Sequence, residues 1–128
     1  MEMRRDYLYV RLSGAFSAVE TMTFYLEAKK EADLRKNSRV LIDCLQVTGS
    51  PSTAERYQLG ALVAQEMRDS VSWRRATAVV ATEPLLDKGR LIELVATNRG
   101  AKFKAFDRIS DALRWLGSEK QGVDSTDP

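Results

Sequence analysis

The chain has 128 residues, 44% hydrophobic and 30% charged, with a net charge of +2, no histidine and a single cysteine. A Ser-His-Asp or Cys-His nucleophile system has no imidazole here to take its proton, a structural zinc site lacks its set of Cys and His ligands, and Cys44 has no partner for an internal disulfide. The length and composition are those of one folded domain with an ordinary core.

Residues 7–12 alternate, with Leu8, Val10 and Leu12 on one face and Tyr7, Tyr9 and Arg11 on the other, which predicts a strand ended by Ser13-Gly14. Ser17 and Glu20 form a capping-box pattern, and a helix is expected to about residue 36 with Val19, Met22, Tyr25 and Leu26 as its inward stripe. The run Arg39-Val-Leu-Ile-Asp-Cys44 reads as a central parallel strand, and residues 46–53 as a loop. A second helix over about 53–69 presents Leu59, Leu62, Val63 and Met67 on one face. Its start is signalled by Ser50-Pro51 and, in a neighbouring register, by Ser52 with Glu55.

Residues 76–82 repeat the buried-strand composition. Asp87 then caps a third helix with Leu91, Leu94 and Val95 inward, and Gly100 supplies a left-handed stop after Asn98-Arg99. A fourth strand spans 102–106, and Asp107 precedes a last helix with Ile109, Leu113 and Leu116 on one face. Residues 118–128, nearly without apolar side chains, read as a flexible tail after a domain of residues 1–117. The order β-α-β-α-β-α-β-α predicts a single α/β domain with a mostly parallel four-stranded sheet. Sites in such sheets gather where strands give way to helices, here at 44–53, 82–87 and 106–110.

Basic and acidic residues are interleaved, without the aromatic-studded basic stripe of a nucleic-acid module, so no nucleic-acid partner is expected. The local exception, Arg68, Arg74 and Arg75 near Trp73, reads as a solvated linker. No apolar stretch is long enough to cross a bilayer and no secretory core follows the first residues, so the expectation is a cytoplasmic protein rather than an integral membrane one.

Tyr9-Val10-Arg11-Leu12-Ser13-Gly14 and Val40-Leu41-Ile42-Asp43 resemble the opening strands of STAS domains, the fold of anti-sigma-factor antagonists. Asn98-Arg99-Gly100-Ala101, Phe106-Asp107 and Ala112-Leu113-Arg114-Trp115-Leu116 are more similar to the SpoIIAA-like branch, whose fold also resembles SEC14/CRAL-TRIO lipid-binding domains. The resemblance spans residues 7–117. It implies a phosphorylated serine at the start of the second helix, and an ungapped count from Asp43 places Ser52 there. Pro51 stands where the family pattern has Asp, and the nearest Leu-Gly, Leu59-Gly60, lies deeper in the helix.

Ser50, Ser52 and Thr53 have three readings: helix caps, a phosphoacceptor or partner surface, or contacts to an anion or ligand. Asp43 and Glu55 are candidate supporting residues, Asp43 either bonded to the following loop or presented at the sheet edge. Cys44 reads as a small core residue. Glu83 and Asp87 are a carboxylate pair in sequence only.

No catalytic residue, metal or cofactor is expected, and no Gly-rich phosphate loop is present. The leading expectation is a non-catalytic regulatory module that binds a protein partner, an anti-sigma-factor-like kinase by the family resemblance, through residues 47–55. The alternative is binding or sensing of an apolar small molecule or lipid, suggested by the SEC14 likeness and by Phe16, Tyr57, Leu85 and Leu86 near element ends. Tyr7 and Tyr9 at a strand edge leave a homodimer open.

Overall fold

A computed structural model describes residues 2–4, 7–35, 39–68 and 76–124, with side chains at 118–124 left aside. Its elements are β1 (Glu2–Met3), β2 (Tyr7–Ala15), α1 (Ala18–Leu34), β3 (Arg39–Thr48), α2 (Thr53–Arg68), β4 (Thr77–Val80), α3 (Leu91–Asn98), β5 (Phe103–Phe106) and α4 (Ile109–Asp124). Strands β2 to β5 are parallel and lie side by side in chain order, as the alternating pattern predicts. The two-residue β1 adds an antiparallel edge beside β2, too short to announce itself in the sequence.

Alternation along the strands divides the core between two faces. Leu8, Val10, Val40, Ile42 and Cys44 pack with Ala28 and Ala32 of α1, while Val63, Ala64 and Met67 of α2 pack with Ala96 and Phe103. Leu41, Ala78 and Val80 point the other way, onto Ala112 and Leu116 of α4, with Tyr7, Tyr9, Phe106 and Trp115 completing that layer. Helices α1, α2 and α3 therefore cover one face and α4 the other. Because the strand order never reverses, the sheet has no switch-point crevice of the kind that holds ligands in doubly wound folds.

Several boundaries differ from expectation. β2 does not stop at Ser13-Gly14: a bulge between Arg11 and Ser13 and a left-handed Gly14, at φ 98°, let Ser13, Gly14 and Ala15 pair with Gln46, Val47 and Thr48. β3 accordingly runs on to Thr48, into the segment that reads as loop. The inward stripe of α1 is also rotated. Val19 is 74% and Leu26 42% exposed, and the buried residues are Ala28 and Ala32, with Tyr25 beside them. In α3, Leu94 faces out at 52% exposed while Val95 and Ala96 are buried.

Other local signals hold. Ser17 caps α1 by accepting from Glu20 N–H at 3.3 Å, and Gly100 closes α3 at φ 94°. Gly60 allows α2 to approach α3, since a Cβ there would lie 2.7 Å from Val95 Cβ and 2.8 Å from the Ile92 carbonyl oxygen. α4 continues past Gly117 to Asp124, where a tail was expected. Gly117 is not in the left-handed region, and Glu119, Lys120 and Gln121 are good helix formers. The rest of the expected tail, 125–128, lies outside the described residues, as does the Arg-rich linker apart from Arg68.

Candidate functional site: an apolar cavity beneath three helices

Between the sheet and α1, α2 and α3 lies a cavity of about 110 Å³. Its floor is the face of the sheet carrying Val10, Leu12, Ile42, Cys44, Val79 and Ala81. Phe24, Tyr25 and Ala28 of α1 form one wall, and Leu59, Leu62 and Val63 of α2 the roof. Leu85 and Leu86, from the segment between β4 and α3, close a further side with Ile92. The space is partly open, and Phe24, one of its lining residues, is 40% exposed. A dry engineered cavity of about 150 Å³ takes up benzene, which puts this one at the scale of a single ring or a short branched chain.

The space exists because small residues stand where larger ones would fill it. Ala28, Ala81 and Ala105 all line it, whereas on the α4 face Leu41, Val80 and Leu116 meet directly. Cys44 adds a small neutral group to the floor. Burial, and then the Asp43 charge, push its thiol up to about 12, so it remains protonated at neutral pH and is a poor nucleophile.

Four charged side chains also line the cavity: Arg56, Asp87, Arg90 and Glu93. Arg56 is buried, at 6% exposed, and both terminal nitrogens of its guanidinium are bonded to protein acceptors. Nη1 donates to Leu85 O at 2.6 Å and to Asp87 Oδ1 at 3.2 Å, and Nη2 donates to Pro84 O at 2.9 Å. This fork fixes the segment between β4 and α3 against α2, satisfying a buried charge with an acid and two carbonyls. Asp87 also accepts from Leu91 N–H through both carboxylate oxygens at 3.2 Å, so it serves the first N–H of α3 although Arg90, not Asp87, stands at the N-cap position. Glu93 Oε1 accepts from Ala105 N–H at 2.7 Å, and Arg90 Nη1 donates to Ala105 O.

The residues singled out from sequence fall around this space rather than within it. Ser52 and Glu55 form a reciprocal capping box: Ser52 Oγ accepts from Glu55 N–H at 3.1 Å, and Glu55 Oε1 accepts from Ser52 N–H at 2.8 Å. Ser50, Ser52 and Thr53 are exposed, while Val47 and Pro51 of the same segment line the cavity. Asp43 lies on the α4 face, buried, where its Oδ2 accepts from Tyr9 O–H and its Oδ1 from Leu45 N–H at 3.0 Å. The bond to Asp43, followed by burial, raises the Tyr9 hydroxyl above its ordinary value. Asp43 is thus buried and bonded within the sheet, to Tyr9 of β2 and Leu45 of β3, rather than to a following loop.

Of the apolar residues noted near element ends, Phe16, Leu85 and Leu86 line the cavity. Tyr57 does not: it is 49% exposed and pairs with Arg99, which donates to its hydroxyl at 2.8 Å and stands over its ring. Sequence reading missed Arg56 and Arg90. An arginine on the apolar face of α2, one turn before Gly60, was the available signal for the first; nothing local marks the second.

Among the described residues no group of three or more Cys, Asp or Glu is placed to hold a metal ion, and no helix is long and apolar enough to cross a membrane. No family model, curated protein or solved structure matches the chain.

Proposed function

We propose that the chain binds a small apolar molecule in the cavity beneath α1, α2 and α3. The observation that carries this reading is an unfilled, partly open space walled by aliphatic and aromatic side chains. A concave apolar site with a few oriented polar groups is the usual form of a small-molecule pocket. The charged groups at its edge support the same reading, because Arg56 and Asp87 neutralise one another and leave the interior hospitable to hydrocarbon.

Calorimetric titration with benzene tests it. The purified chain is expected to bind this neutral single ring, and Ala81→Leu, which projects carbon into the cavity, is expected to abolish the binding heat. Thermal melting of the same variant separates occupancy from unfolding. Overpacking a filled core costs about 1–3 kcal/mol, whereas filling a void costs less or stabilises. Equal benzene binding by both proteins, or none by the parent chain, contradicts the proposal.

A second reading, a regulatory module that meets a protein partner through residues 47–55, is supported by the outward exposure of Ser50, Ser52 and Thr53 beside the cavity-lining Pro51. A phosphate on Ser52 would meet the Glu55 carboxylate, which accepts from Ser52 N–H at 2.8 Å, and the like charges repel. Under this reading Ser52→Asp, itself a good helix cap, weakens retention of a partner in a pull-down with the melting temperature nearly unchanged. Equal retention removes Ser52 from it.

A further inference from the structure

Arg90 differs from every other charged residue of the cavity wall. Arg56 uses both terminal nitrogens on protein acceptors and is paired with Asp87; Asp87 and Glu93 each accept backbone N–H groups. Arg90 donates through Nη1 to the Ala105 carbonyl, and its remaining guanidinium N–H groups have no partner among the described residues. No carboxylate there stands within ion-pair distance of it, Glu93 included. A half-buried guanidinium against an apolar wall, with part of its fork unused, is matched by a planar two-oxygen acceptor that takes parallel hydrogen bonds.

The backbone supplies an independent observation. Arg90 sits at φ 50°, ψ 53°, the left-handed region, just before α3, and is the sole non-glycine residue there among those described. Glycine would occupy that conformation without strain, and Gly89 is its neighbour. Arg90 also closes the turn before α3, its N–H donating to Asp87 O at 3.1 Å.

We infer that the cavity takes a small monocarboxylate, its ring or short chain against the apolar floor and its carboxylate on the free donors of Arg90. The inference rests on the cavity reading above and adds the chemistry of the head group. The cavity volume limits the body to about one ring, so a compact aryl or short-chain acid fits and a long acyl chain does not.

Calorimetric titration of the full chain with 3-phenylpropanoate and with its neutral counterpart 3-phenylpropanamide tests the head group directly. The acid is expected to bind about tenfold or more tightly, the scale of hydrogen bonds to a charged group. Arg90→Gly, which suits the left-handed backbone and so spares the fold, is expected to erase that preference. Arg90→Gln, with a melting curve for each, guards against an effect of the added glycine. Ala81→Leu is expected to block both ligands. Equal binding of acid and amide by the parent chain, both blocked by Ala81→Leu, overturns the carboxylate inference and leaves the apolar cavity standing. An acid preference that survives in Arg90→Gly overturns the role of Arg90. Failure of both ligands to bind, or binding indifferent to Ala81→Leu, overturns the inference together with the cavity reading.

Discussion

On the α4 face of the sheet Leu41, Ala78 and Val80 close against Ala112 and Leu116, whereas on the opposite face Val10, Ile42 and Cys44, the last two from the same strand as Leu41, look into an open space. Adjacent positions of one strand, Leu41 and Ile42, thus belong to a filled layer and to a cavity wall. The closed face is finished by large side chains, among them Phe106 and Trp115, whose rings lie 5.9 Å apart. The open face meets three helices through alanines, and its polar groups are turned to holding the segment before α3 in place. Full occupancy by large residues is how the chain builds stability on one side, and its omission on the other is what leaves room for a ligand.

The difference is breakable by truncation. Leu41→Ala, on a side chain with no exposure, is expected to lower stability by about 3 kcal/mol, because a cavity forms where packing was complete. Leu86→Ala, at the half-buried wall of the existing cavity, is expected to cost about 1 kcal/mol. Chemical denaturation of the two variants measures both, and equal losses would mean that the two faces are packed alike.

Gly60→Ala sharpens the comparison at the roof of the open face. Its methyl meets backbone as well as Val95, so α2 and α3 must separate, and a loss of about 2 kcal/mol is expected in the same assay. A neutral result would show that the helices covering the cavity are loosely set. Ser52→Ala removes one half of the capping box at the edge of the cavity and is expected to cost about 1 kcal/mol, again by denaturation.

The smallest effect concerns Tyr9 on the closed face. Its hydroxyl titrates above the ordinary tyrosine range in the folded chain, so the stabilisation linked to that proton is complete below about pH 10 and is lost as pH rises through the higher folded value. Asp43→Asn is expected to bring the Tyr9 titration, followed by tyrosinate absorbance, back toward the ordinary range. An unmoved titration would detach Tyr9 from Asp43.

Much of the framework was legible because its signals are local. The period-2 alternation of Leu8, Val10 and Leu12 identified the buried side of β2, and Ser17 and the Ser52–Glu55 pair marked helix starts that the structure shows as capping bonds. The stripe of α1 was misphased because its contacts with the sheet are made by Ala28 and Ala32, which hardly register in a hydrophobic pattern, while Val19 and Leu26 face solvent. α4 was cut short because Gly117 resembles a stop when no neighbouring structure says otherwise. The cavity was not legible at all. Its lining comes from positions between Val10 and Ala105 on strands, helices and loops, and a void is a property of what those side chains fail to fill. Arg56 was open to notice as a charge on an apolar helix face; Arg90, distinguished by its backbone angles, was not.

Xenon pressurisation of crystals of the chain tests most directly whether the helix-covered face holds an accessible apolar space. The account predicts a single strong xenon peak among Val10, Ile42, Leu59 and Leu86, absent from Ala81→Leu crystals treated alike. Parent crystals without xenon at that position, or with the side chains collapsed into it, would contradict the account.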